Sequence, residues 1–388
     1  MEHEYPFCWR CGAPLIYFAR RAWFFEVSRL RKELLERNER INWVPPHLKE
    51  GRFGEWLKDA KDWAISRERY WGAPLPIWRC ADCKEIKVAG SLAELEEADY
   101  FKNRFYFVRH TEADHIVSGL IASGPEAGKH ISHLTKKGNI AGEGVAKKLA
   151  KEKIDVIYAS PYTRTKELAE IINKATGAKI IFDDRLVELN TGPFNWGKVS
   201  AYRKFFDSEA ERYVKAPPGA ETLTDVRRRT MSFAKDINQE HRGKKIVVVG
   251  HGDPLWILEG MFAGKTKEES FKYPYIKLGE IRKCRMPNLP VNDVGEVDIH
   301  RPYADKVILE CDKCGGRAER VKEVADVWFD SGAMPFAQDH FPFGQMEKKG
   351  ISNEASAKLI KKIGYPADYI CEAVDQTRGW FYRLLATA

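Results

Sequence analysis

Three cysteine pairs, each with two intervening residues, constrain this chain more than any other feature: Cys8/Cys11, Cys80/Cys83 and Cys311/Cys314. No stretch at the N-terminus combines basic residues with an apolar core, so such pairs read as metal ligands before disulfides. A four-cysteine zinc ribbon usually spaces its pairs by roughly 15–20 residues. Between Cys83 and Cys311 lie 227 residues. The economical reading is one zinc knuckle made by Cys80, Cys83, Cys311 and Cys314, with a whole domain inserted into its loop. Such insertions are tolerated because domain termini often lie close together. The other reading makes each pair a separate surface turn. Cys8/Cys11 is then half a site, and Cys284 and Cys371 carry no signal.

The stretch between the pairs has the rhythm of an α/β domain. Phe105–Val108, Ile154–Tyr158, Ile180–Phe182 and Ile246–Val249 are short apolar strands. Between them, Ala141/Val145/Leu149, Leu168/Ile171/Ile172/Ala175 and Leu223/Val226/Phe233/Ile237 mark helix faces. Thr222 or Thr224 caps the third helix, and Pro254 sits in the first turn of another. Strands alternating with helices imply a mostly parallel sheet covered by helices. The flanks lack this rhythm and are broken by prolines. The expected division is 1–103, 104–285 and 286–388. No apolar run approaches the roughly 18 residues that span a bilayer, so no membrane partner is expected. The 64 Lys and Arg against 56 Asp and Glu give +8, which permits a phosphate or nucleic-acid partner without requiring one.

Two histidines and two arginines fall at strand C-termini, where α/β folds place their sites. Arg109 and His110 follow the first strand, Arg164 follows Ser160-Pro161, and His251 ends the last strand in Gly250-His251-Gly252. Guanidinium groups clamp phosphoryl oxygens in bidentate fashion, and a neutral imidazole beside them can attack phosphorus. Glu188 is a candidate general acid for the leaving oxygen. This set, with Gly219-Ala220-Glu221-Thr222, resembles the histidine phosphatase (phosphoglycerate mutase-like) superfamily over about 104–283. The resemblance implies His110 as phospho-acceptor, Arg109, Arg164 and His251 as phosphate ligands and Glu188 as proton donor. Thr111 stands where that family commonly has Gly. The stretch Glu112 to His133 departs further, leaving the phosphorylated small molecule open.

The flanks resemble a second family, the isoleucyl-tRNA synthetases of class I. The matching segments are Cys8–Ile16, Asp62–Gly72, His300–Tyr303, Asp326–Gly332 and Asp375–Phe381. The resemblance implies that Trp328 and Trp380 flank an isoleucine side chain, and that Glu372, Asp375 and Gln376 contact the amino group and adenylate. Aromatic walls sort aliphatic side chains at about 1–3 kcal/mol per methylene. Ala373 stands where the family usually has Gly. The segment holding Arg52, Lys58, Arg67 and Arg69 either tracks a tRNA backbone or is a solvated basic face. Neither the His-Ile-Gly-His element nor the Lys-Met-Ser-Lys-Ser loop of class I synthetases occurs in the 388 residues. The expectation is therefore a cytoplasmic, monomeric synthetase fragment, unable to use isoleucine, ATP and tRNA(Ile) alone, with a complete phosphatase-like pocket. The alternative is a freestanding phosphatase or phosphomutase with synthetase-derived flanks.

Overall fold

The computed structural model describes residues 5–16, 19–124, 131–342, 358, 360, 362 and 364–388; residues 125–130 of the divergent Glu112–His133 stretch thus lie outside the described residues. The chain divides into two compact units, Met1–Leu75 with Lys322–Ala388, and Pro76–Val321.

The larger unit is built on a five-stranded sheet ordered β5-β1-β4-β2-β3. Its strands are β1 (Arg104–Arg109), β2 (Val156–Ala159), β3 (Lys179–Phe182), β4 (Lys245–Gly250) and β5 (Ile281–Cys284). The first four run parallel, and β5 pairs antiparallel with β1. Side chains alternate across a strand, so a sheet covered on both faces must be apolar at every position. The central strands meet that demand. Phe105, Phe107, Ile246 and Val248 enter one core, with α3 (Leu223–Glu240) and α4 (Gly252–Phe262). Tyr106, Val108, Val247 and Val249 enter the other, with α1 (Lys136–Ala150) and α2 (Thr163–Thr176).

The helix starts follow from local chemistry. Thr222, not Thr224, caps α3, accepting from the Asp225 N–H while Asp225 bonds back to the Thr222 N–H. Thr135 caps α1 through the Gly138 N–H at 2.9 Å. Gly138 must be glycine, because a Cβ there would lie 2.0 Å from the Glu112 carbonyl oxygen.

The same unit holds a four-stranded antiparallel sheet made by Ile77–Cys80, Ile86–Val88, Ile308–Glu310 and Arg317–Arg320. Trp78, Leu95, Leu309 and Ala318 form its core. The two sheets are pinned together. Arg242 lies 4.1 Å over the Tyr100 ring and donates to Glu310 at 3.1 Å and to the Gly315 carbonyl at 2.9 Å. Asp99 accepts from Arg285 at 3.2 Å, and Asn288 bridges the carbonyls of Leu95 and Ile308.

The smaller unit is made of short elements, as the prolines predict. Among them are helices Arg31–Asn38, Gly54–Lys58, Val327–Ala337 and Trp380–Thr387. The last two approach closely at Gly332, where a Cβ would meet the Arg383 carbonyl oxygen at 2.9 Å. No described helix is long and apolar enough to cross a membrane.

Candidate functional site

Strands β1, β2 and β4 end on one edge of the parallel sheet, and that edge carries the expected residues. His110 and His251 are buried, with ring centroids 5.4 Å apart. The Thr111 carbonyl can only accept, so its 2.8 Å contact fixes a proton on His110 Nδ1 and leaves the Nε2 lone pair available. Burial, then the Arg164 and Arg109 cations, hold the His110 pKa well below the usual histidine value. The imidazole is thus kept neutral, the state a nucleophile requires.

His251 is fixed by opposite partners. Arg164 Nη2 donates to its Nδ1 at 3.1 Å, so its Nε2–H donates to Ser160 Oγ at 2.8 Å. Arg164 also donates to the Ala122 carbonyl at 2.8 Å, and burial lowers its own pKa to about 10. Arg109 donates to the Ile276 carbonyl at 3.0 Å and stacks over Tyr275 at 5.3 Å. The buried Nε groups of Arg109 and Arg164 have no hydrogen-bond partner among the described residues. Orphaned cationic donors are costly unless an anion completes them.

Glu188 closes the set. Its carboxylate oxygens accept from the Leu189 N–H at 2.9 Å and the Gly252 N–H at 3.2 Å. Burial and then the Asp253 charge raise its pKa, which favours the protonated acid. His110, Arg109, Arg164 and Glu188 all line one cavity of about 510 Å³. His251 stands behind them, touching Arg164 and Ser160.

One residue of this site escaped the sequence reading. His115 lines the same cavity, its ring 5.4 Å from that of His110. Ser132 Oγ holds its Nδ1 at 2.8 Å, and burial with the two arginines lowers its pKa to about 3. The signal was its place five residues after His110, on the short helix Asp114–Val117.

The knuckle brings Cys80, Cys83, Cys311 and Cys314 together, with all four sulfurs within 4.8 Å of one another. Cys80 and Cys314 sulfurs are 3.5 Å apart, and Cys83 and Cys311 sulfurs 3.6 Å apart. Tetrahedral Zn–S bonds of about 2.3 Å would set sulfurs about 3.8 Å apart, so the cluster fits a metal ion. Gly316 leaves room for it: a Cβ there would fall 3.1 Å from the Cys314 sulfur and 2.2 Å from Asp82 Oδ2. Backbone donation from Cys83 heads the causes lowering the Cys80 thiol to about 7. Cys8 and Cys11 belong to a tight turn, with the Gly12 N–H donating to the Cys8 carbonyl at 2.8 Å. Among the described residues no other ligand set joins them.

In the smaller unit, Trp380, Gln376 and Asp375 form a chain. The Trp380 N–H donates to Gln376 Oε1 at 3.0 Å, and Gln376 Nε2 donates to Asp375 at 3.1 Å. Trp380 Nε1 also reaches the Ser331 carbonyl at 3.1 Å. Trp328 lies close by, within 3.5 Å of where a Gly379 Cβ would stand. Glu372 is exposed, and nothing described ties it to this cluster. Of the basic residues considered for tRNA, Arg52 is engaged inside the unit with Thr377, Lys58 with Glu55 and Arg67 with Asp326.

Fold and sites together define a chain of two parts: an α/β domain with a histidine- and arginine-lined cavity, and flanks that supply a cysteine knuckle and an aromatic cluster. Comparisons give both parts a family. Residues 13–130 and 286–388 match the family model of tRNA synthetases class I (I, L, M and V), more than half of the chain. Residues 105–286 match the histidine phosphatase superfamily (branch 1). The chain belongs to the class I tRNA synthetases and carries a histidine phosphatase domain. It is 28% identical to an isoleucine–tRNA ligase of Dehalococcoides mccartyi, over 100% of this chain and 18% of that protein. Isoleucine–tRNA ligase 2 of Pseudomonas fluorescens is 56% identical over 96 residues, 25% of this chain and 9% of that one. The chain thus spans under a fifth of the length of these curated relatives. Among solved structures it is similar to mycobacterial glucosyl-3-phosphoglycerate phosphatase, at 18% identity and a TM-score of 0.42 over 46% of this chain and 88% of that one.

Proposed function

We propose that the inserted domain hydrolyses a phosphomonoester through a phosphohistidine, and that the flanks serve the isoleucine–tRNA ligase reaction. The observation that carries the first part is a neutral His110 beside two arginines with orphaned buried donors. Arg109 and Arg164 clamp the phosphoryl oxygens, assisted by His251. The Nε2 lone pair of His110 attacks phosphorus, the P–O bond to the leaving alcohol breaks, and Glu188 gives its proton to the departing oxygen. Water then attacks phosphorus and yields a proton to Glu188. The P–N bond breaks, its electron pair returns to Nε2, and phosphate leaves.

In the flanks, Trp328 and Trp380 would sort the isoleucine side chain, while Glu372, Asp375 and Gln376 would hold the amino group and adenylate. ATP and tRNA(Ile) are the further substrates of that reaction, which draws on nucleotide-binding elements outside these 388 residues. Cys80, Cys83, Cys311 and Cys314 would hold Zn2+, which supplies structure by crosslinking the two arms of the knuckle. We assign the inserted domain to 104–285, and the setting to a cytoplasmic monomer.

The decisive experiment mixes the chain with phosphomonoesters, quenches it in base and maps acid-labile phosphate by mass spectrometry. Phosphate on His110, absent in His110→Ala, is expected. Turnover that survives His110→Ala would overturn the mechanism. For the flanks, tryptophan fluorescence should respond to a non-hydrolysable isoleucyl-adenylate analogue and not to the glutamyl one; equal responses would refute the assignment.

A further inference from the structure

The cavity above His110 is much larger than the group it transfers, and its outer walls are unlike its floor. The floor is polar, made by Arg109, Arg164, Glu188 and the histidines. The walls are apolar and aromatic, among them Ile116, Leu120, Ile121, Val199, Tyr202 and Trp256. Val199 stands at the mouth and is 46% exposed.

The charged groups of the outer cavity come in opposite pairs, Arg212 closely held and Arg203 at the exposed edge. Arg212 donates to Asp253 at 2.7 Å and to Glu209 at 3.1 Å, and Asp253 also accepts from the Tyr275 hydroxyl at 3.0 Å. Arg203 faces the same Glu209 at 4.0 Å. Two guanidinium groups therefore meet two carboxylates, so the outer cavity carries no net charge, and the buried Nε of Arg212 is left without a partner among the described residues. A second anionic group entering this region would lose its hydration and face Asp253 and Glu209. An uncharged ring or alkyl body would instead displace water from apolar walls.

We propose that this cavity takes a phosphomonoester with a single anionic group, whose leaving alcohol is uncharged and bears an aromatic or aliphatic body, and that it rejects esters carrying a carboxylate or second phosphate. The proposal rests on the reading of His110 as phosphoryl acceptor.

The test compares kcat/KM of the intact chain for benzyl phosphate, glycerol 3-phosphate and 3-phosphoglycerate. All three release alkyl alcohols of similar basicity, so their ratio reports the cavity and not the leaving group. Benzyl phosphate is expected to exceed glycerol 3-phosphate by at least tenfold, and 3-phosphoglycerate to be the poorest. Val199→Asp should narrow the ratio of benzyl to glycerol ester by fivefold or more, through a higher KM for the benzyl ester. Turnover with a flat or reversed order would overturn the substrate class alone. No turnover of any ester, with no phosphate on His110, would overturn the phosphatase reading and the proposal with it.

Discussion

Glu188→Gln separates proton donation from mere shape. The carboxyl is held by two backbone N–H groups, at 2.9 Å from Leu189 and 3.2 Å from Gly252. The amide keeps the volume and one acceptor but has no acidic proton. General acid catalysis supplies about 10²–10⁴ in rate. The loss expected for an alkyl phosphomonoester is therefore about 10³ in kcat, or about 4 kcal/mol of barrier. For p-nitrophenyl phosphate, whose leaving oxygen is a weak base, the loss should stay under about tenfold. The pH dependence has a definite sign. Burial and Asp253 raise the Glu188 pKa, so the wild-type acid is lost, and the alkyl ester rate falls, as pH rises through that raised value. Stability follows the same direction. The stability contributed by the neutral acid is fully present below the unfolded glutamate pKa and is lost as pH rises through the folded one. Each unit of displacement is worth about 1.4 kcal/mol. Stopped-flow assays with both esters from pH 5 to 9, with urea melts at the two ends, read all of this. Equal losses on the two esters, or an unchanged alkaline limb, would show that Glu188 only shapes the pocket.

Two further outcomes concern the knuckle. Cys311→Ser should lower bound zinc from about one ion per chain to near zero by elemental analysis, since a site of four thiolates seldom holds with three; full occupancy in the variant would refute the ligand set. Arg242→Ala removes a cation over Tyr100 and its hydrogen bonds to Glu310 and Gly315, all partly exposed, so about 1–2 kcal/mol of stability should vanish in urea titrations. No change would mean that these contacts do not join the two sheets.

The parallel sheet was legible because its central strands are buried on both faces, which forces runs such as Ile246–Val249. β5 was not, since Ile281-Arg282-Lys283-Cys284 carries two charges. Arg282 is matched by its sequence neighbour Glu280 at 3.0 Å and, across the fold, by Glu259 at 2.7 Å. The second strand starts at Val156, two residues later than the apolar run, because Asp155 turns its carboxylate to the Lys245 N–H at 2.8 Å. The four residues contributed by ordered motifs, Arg109, His110, Arg164 and His251, were readable because strand ends converge on one edge of a parallel sheet. His115 was not. Its position depends on Ser132, 17 residues away in sequence. Arg67 gives the opposite lesson. It reads as a free cation in sequence, yet its partner Asp326 is 259 residues distant.

The same long range raises the question of how a knuckle closes across 227 residues. The answer lies in β1 and β5. They pair antiparallel, and Phe105 stands opposite Cys284, so the chain leaves the inserted domain beside the point where it went in. Once that sheet has formed, the connector between Cys83 and Cys311 behaves as a loop of about 47 residues instead of 227, which lowers the closure cost by about 1.4 kcal/mol on the (3/2)RT ln n scaling. Folding of the inserted domain and any metal capture by the four cysteines would therefore be linked. Unfolding the parallel sheet lengthens the loop, and a metal that holds Cys83 against Cys311 in turn favours the paired ends of β1 and β5.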